Sequence, residues 1–77
     1  MTPHATLNGL AAGERGTILA LRASGGERRR LLELGFVPGA EVAAVGRAPF
    51  GGPAAFAVCG AVIALRSDDA AKIILLS

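Results

Sequence analysis

The sequence predicts a mainly β protein: a small, partly open barrel of five short strands, with one short helix inserted after the first strand and a helical turn before the last. Three observations carry this. Eleven glycines cut the 77-residue chain into short segments. Five of those segments are β-prone apolar runs at roughly ten-residue spacing, the pattern of a small barrel or sandwich. Only one longer stretch is rich in good helix formers and free of β-branched residues. The chain is too short for two stacked sheets of ordinary size, so one barrel-like domain over residues 1–77 is expected, with residues 1–5 loose.

The elements follow in order. Thr17–Leu21, "TILAL", is the first strand. "ERRRLLEL", Glu27–Leu34, is the helix, and Gly35 stands where a helix-ending glycine is expected. At 100° per residue, Leu31, Leu32 and Leu34 share one broad sector, while Arg29 and Glu33 lie opposite. Arg30 lies at the edge, where its stem can cover apolar surface while its head stays wet. Pro38-Gly39 turns the chain into the second strand, Glu41–Ala48. The prolines and glycines of "APFGGP" suit a hairpin loop to the third strand, Ala54–Val58. Gly60-Ala61 places glycine first, as a type II′ turn requires, before the fourth strand, Val62–Leu65. Ser67–Lys72 reads as a helical turn, capped by Ser67 and carrying Asp68 and Asp69 where the helix dipole favours negative charge. Ile73–Leu76 is the fifth strand.

Composition bounds the function. Eight basic against six acidic residues leave a formal charge of +2, less than a dedicated nucleic-acid binder of this size usually gathers on one face. The three arginines Arg28, Arg29 and Arg30 fan over about 200° of the helix and form no stripe. They read as a solvated face available for docking a protein partner. Cys59 is the only cysteine, which excludes an intrachain disulfide and any site with two cysteine ligands. The N-terminus lacks the pattern of a signal peptide, and no apolar run approaches the roughly 18 residues that span a bilayer, so a cytoplasmic location without membrane insertion is expected.

No catalytic constellation is visible. His4, the sole histidine, stands near the N-terminus, and Cys59 has no histidine near it in sequence. Asp68 and Asp69 are adjacent and point different ways on a turn. "GGERRR" has neither the spacing nor the Lys-Ser/Thr of a phosphate-binding loop. A ferrous site typically takes two histidines and a carboxylate, which this chain cannot supply, so neither a metal site nor a cofactor is expected. Of the three aromatics, Phe56 is expected in the core, Phe36 under the helix and Phe50 at a loop tip. With no Tyr or Trp, base stacking is poorly provided for, and no nucleic-acid partner is expected.

In "RRRLLELGFVPGAEV", "APFGGP", "VCGAVIALR" and "DDAAKI", with "LNGLAAGERGTI" before them, the chain resembles the FeoA family, the small cytosolic component of bacterial ferrous-iron uptake. The arginine-leucine helix running into "LGFVPG" is the most specific piece. The resemblance implies an SH3-like barrel and an accessory role beside FeoB, a membrane transporter whose cytosolic part is a GTPase. FeoB is then the expected partner, with Arg28, Arg29, Arg30, Glu33 and Phe50 as candidate contacts. Similar SH3-like domains end iron-dependent DtxR-type repressors, so a module acting on such a regulator is one alternative. A small nucleic-acid-binding barrel is another.

Alternation in the third strand adds one more expectation. If Ala54, Phe56 and Val58 face the core, then Ala55, Ala57 and Cys59 face outward as an apolar row. Such a row suits weak self-association, with Ala43 extending it if the second and third strands pair in register.

Overall fold

The computed structural model describes residues 5–47 and 52–76. Five strands form one antiparallel sheet: β1 (Arg15–Leu21), β2 (Glu41–Arg47), β3 (Ala54–Val58), β4 (Ala61–Leu65) and β5 (Ile73–Leu76). Their order across the sheet is β4-β3-β2-β1-β5. Helix α1 (Gly25–Glu33) joins β1 to β2, and the single turn α2 (Ser67–Ala70) joins β4 to β5. This is the expected mainly β architecture.

The sheet curls because two strands carry an extra residue. The β1–β5 register shifts between Ile18 and Ala20, and the β2–β3 register shifts between Ala44 and Gly46. Such bulges bend a strand and increase its twist. The residues at the shifts, Leu19 and Val45, are exposed, while their neighbours Ile18 and Ala44 are buried. The concave face is thereby filled by Ile18, Val42, Phe56, Val58, Leu65, Ile73 and Leu75.

Helix α1 closes the core at its C-terminal end. The Phe36 N–H donates to Leu31 O (3.0 Å) and the Gly35 N–H to Leu32 O (3.0 Å). These are the two crossed bonds of a Schellman motif, with Gly35 at the residue after the cap. Gly35 has φ +108°, a conformation that L side chains rarely adopt. The reversal drives Phe36 to full burial beside Leu31, the apolar pair that this motif brings together. Leu32 and Leu34 are half-buried, and Arg29 and Glu33 are exposed, as the helical phase predicts; Arg28 and Arg30 are exposed as well.

Four expectations need correction. The helix starts at Gly25, not Glu27, and β1 starts at Arg15, not Thr17. Ser67 does not cap α2: Arg66 is the capping residue, and no side chain bonds the helix start. The β3–β4 turn is centred on Cys59-Gly60, because Val58 pairs with Ala61. Both turn residues have positive φ (+49° and +79°), which is the requirement of a type I′ turn. The first four residues lie outside the described residues, but Ala5 is held: its carbonyl accepts from the Leu75 N–H at 2.8 Å.

The N-terminal segment belongs to the core, which the sequence pattern does not show. A 3-10 turn at Leu7–Gly9 buries Leu7 completely. Thr6 bridges Ile74 beside it. At the other end of the segment, the Arg47 guanidinium donates to the carbonyls of Asn8 and, at 2.8 Å, Leu10.

Three substitutions test this packing by equilibrium unfolding. Leu31→Ala removes a buried side chain and is expected to cost about 2–4 kcal/mol. Gly35→Ala forces a strained backbone and sets its methyl 3.2 Å from the Cys59 Cβ, with an expected cost of about 1–3 kcal/mol. Arg29→Ala is expected to leave stability unchanged within error. An Arg29→Ala chain that unfolds while Leu31→Ala does not would refute the helix orientation.

Candidate interaction surface

The candidate residues divide between two surfaces. The first is the exposed surface of α1, where Arg28, Arg29, Arg30 and Glu33 all reach solvent. Among the described residues none of these four forms an ion pair: the two pairs present are Arg15–Glu41 and Lys72–Glu27. Arg29 and Glu33, one helical turn apart, do not satisfy each other. The helix therefore presents three cations and one carboxylate with their hydrogen-bonding capacity unspent by the fold. Phe50, expected beside them as a contact, lies outside the described residues.

Glu27, in the first turn of the same helix, behaves differently. Its Oε2 accepts from Lys72 Nζ at 2.7 Å, which ties α1 to the segment between α2 and β5. The bond to Glu27 raises the Lys72 pKa above its ordinary 10.5, helped by the nearby charges of Glu27, Asp69 and Asp68 and opposed by partial burial. The pairing spans 45 residues of chain, so no local pattern could reveal it.

The second surface is the convex face of β2, β3 and β4. Ala57 pairs with Ala43 on one side and Val62 on the other. The expected in-register extension through Ala43 is therefore present. Ala55 and Ala57 are half-buried, and Val45 and Val62 are exposed. Cys59 does not extend the row. It stands in the turn, not in β3, and its thiol donates to the Gly35 carbonyl at 3.5 Å. Holding a non-glycine residue in the left-handed region costs roughly 1–2 kcal/mol, which the close fit against the helix end offsets in part.

Among the described residues no three His, Cys, Asp or Glu side chains gather closely enough to hold a metal ion. A recess of about 170 Å³ lies between the 3-10 turn, α2 and the sheet, lined by Phe56, Leu65 and Ala70 with Arg47 and Ser67 at its polar side. It contains no paired acid and base, and the guanidinium of Arg47 is already engaged by main-chain carbonyls. Among the described residues no helix is long and apolar enough to cross a membrane.

The model of the FeoA domain matches residues 5–75. The chain belongs to the FeoA domain family. It is 36% identical over 67 residues to the Fe(2+) transport protein A/Fe(2+) transporter FeoB fusion protein of Porphyromonas gingivalis. That match takes in 87% of this chain and only 8% of the much longer relative. Iron(II) transport protein A from Clostridium thermocellum superposes with a TM-score of 0.89 at 34% identity, covering 92% of this chain and 44% of that one. FeoA of Stenotrophomonas maltophilia, described as a prokaryotic SH3 domain protein and complexed with zinc, superposes with a TM-score of 0.81 at 32% identity, covering 92% and 88%. The SH3-like, mainly β fold expected from the sequence is thus the fold of this FeoA-family chain.

The Lys72–Glu27 tie sets a pH dependence. The folded-state pKa of Lys72 is raised, so its contribution to stability is fully present below pH 10.5 and is lost as pH rises through the higher folded value. A Lys72→Met variant is expected to lose this alkaline component. Comparing the two unfolding free energies from about pH 9 to about pH 12, a range that brackets lysine titration, checks it. A difference that stays constant across the range would contradict it.

Proposed function

We propose that this chain is a non-enzymatic accessory module of ferrous iron uptake, acting in the cytoplasm by docking on the GTPase part of a FeoB-type membrane transporter. One observation carries the reading. In the Porphyromonas gingivalis relative, transport protein A and the FeoB transporter are fused in one polypeptide. Fusion replaces a bimolecular encounter by a local one at high effective concentration, which is useful only if the two parts act together. A FeoA-family domain that acts on such a transporter needs a surface that recognises it.

The exposed side of α1 suits that role best. Its arginines can make bidentate bonds to carboxylates, and guanidinium is more readily desolvated at an interface than ammonium. Glu33, among them, supplies a carboxylate that fixes orientation against a basic group of the partner. The helix is anchored to the core by Leu31 and tied by Glu27 to Lys72, so little ordering is required on binding.

Calorimetry of the purified chain with the transporter's cytosolic GTPase domain, with and without guanine nucleotide, tests the reading. Binding is expected to weaken with added salt. Reversal of all three charges (Arg28→Glu, Arg29→Glu, Arg30→Glu) is expected to weaken it at least tenfold, about 1.4 kcal/mol. No binding in any nucleotide state, or binding indifferent to the triple reversal, would overturn the assignment.

A further inference from the structure

Strand β4 is one end of the sheet, and the register of its hairpin determines which of its main-chain groups are spare. Val58 and Ala61 flank a two-residue turn, so they exchange both of their hydrogen bonds. Hydrogen-bonded pairs recur at every second position, which makes Phe56–Ile63 and Ala54–Leu65 hydrogen-bonded pairs as well. The N–H and C=O groups of Val62 and Ala64 therefore point away from β3, out of the sheet. Neither residue bonds to any other described residue along that edge. The opposite end is different: β5 is covered by the Thr6–Ile74 bridge and by the bond from the Leu75 N–H to Ala5. Proteins usually blunt an open edge with charge, proline or a bulge. The β4 sequence, "AVIAL", has no charge and no proline, and its pairing with β3 has no register shift.

We infer that this edge pairs antiparallel with the β4 edge of a second copy of the chain, about a two-fold axis through Ile63. The outward groups fix the register of that second copy. Two-fold pairing at Ile63 sets Val62 opposite Ala64 of the second copy, and Ala64 opposite its Val62. Both are positions whose main-chain groups face outward, so all four spare groups on each copy are satisfied. A shift of one residue would set these groups against residues whose bonds are already made to β3, and would leave them unpaired. A shift of two would pair Val62 or Ala64 with its own copy and place the other against Gly60 in the turn or Arg66 beyond the strand. The side chains agree with the two-fold register. Val62, 64% exposed, lies beside a small alanine on the convex face, so the two convex apolar surfaces become continuous. The nearest charge, Arg66, falls beyond the pairing, and the two copies of it stand about 20 Å apart along the strands. That exceeds the roughly 8 Å screening length at physiological salt, so the cations do not oppose association. An isologous contact of this kind closes at two copies. The strip is narrow, so the dimer is weak.

Sedimentation velocity and amide exchange on the full chain, from about 10 μM to about 1 mM, test the inference across the range expected of a small interface. The expected result is a monomer–dimer equilibrium in which the Val62 and Ala64 amides gain protection with concentration. The amides of Ala61 and Ile63, already bonded to β3, stay unchanged. Val62→Lys places a charge on the edge, and Ala64→Pro removes an outward N–H without touching the β3 ladder. Val62→Lys is expected to weaken dimerisation at least tenfold while the monomer's circular dichroism and melting stay the same, and Ala64→Pro does likewise if it folds. A chain that remains monomeric at about 1 mM would overturn the inference. So would a dimer that tolerates Val62→Lys, or one whose protected amides lie outside β4.

Discussion

The reversal at Gly35 is the constraint on which the rest of this molecule depends. A five-stranded sheet with an inner face of Ile18, Val42, Phe56 and Leu75 must be covered, and a chain of 77 residues has little with which to cover it. The crossed bonds of Phe36 and Gly35 back to Leu31 and Leu32 stop α1 abruptly and turn the chain inward within two residues. Leu31 and Phe36 then enter the core together, 3% and 0% exposed. Burying two side chains of this size stabilises the fold by about 3–6 kcal/mol, comparable with the whole net stability of a small domain. The same reversal places Gly35 against the Cys59 side chain, which couples the helix end to the β3–β4 hairpin.

What the reversal buries on one side of α1 it presents on the other. Once Leu31 is fixed, the helical period turns Arg29 and Glu33 to the far side of α1, and Arg28 and Arg30 reach solvent beside them. A rigid cationic surface on an anchored helix follows from the packing of an apolar core, without any buried polar group among the described residues. The N-terminal segment closes the other side by similar means. Leu7 fills the core, Arg47 holds the carbonyls that follow it, and Thr6 covers the β5 edge. Among the described residues the β4 edge has no such cover, and this asymmetry between the two ends of the sheet underlies the association inferred for β4.

The parts legible in sequence are those governed by local periodicity. Alternation placed β3 at Ala54–Val58 with Phe56 inward, and the 100° phase placed Arg29 and Glu33 on the side of α1 opposite its leucines. Where a local rule and a register competed, the register prevailed. Gly60 as the first turn residue satisfies a type II′ turn, but Val58 must face inward and pair with Ala61, so the turn centres on Cys59-Gly60 at the expense of a strained Cys59. The same shift removed Cys59 from the outward row of Ala55 and Ala57. Helix α1 reaches back to Gly25, whose φ of +61° is a conformation glycine adopts without steric cost, so a residue that weakens a helix interior serves at its start. Leu7, the Arg47 clasp and the Lys72–Glu27 tie depend on residues 37 or more positions apart or on burial alone, and no window of sequence holds that information. The family motif located the arginine-bearing helix, but the charges on it do not spell out their partner.

Native-state hydrogen exchange at the Phe36 amide tests the central claim most directly, because that N–H makes the wider of the two crossed bonds of the reversal, to Leu31 O. If closure of α1 and formation of the core are one event, this amide opens only with the whole domain. Its opening free energy and denaturant dependence are then expected to equal those of the Phe56 and Val58 amides in β3. An amide at Phe36 that exchanges through a low-energy local opening, shared with Arg30 and independent of denaturant, would show that α1 frays as an appendage and that the core stands without it.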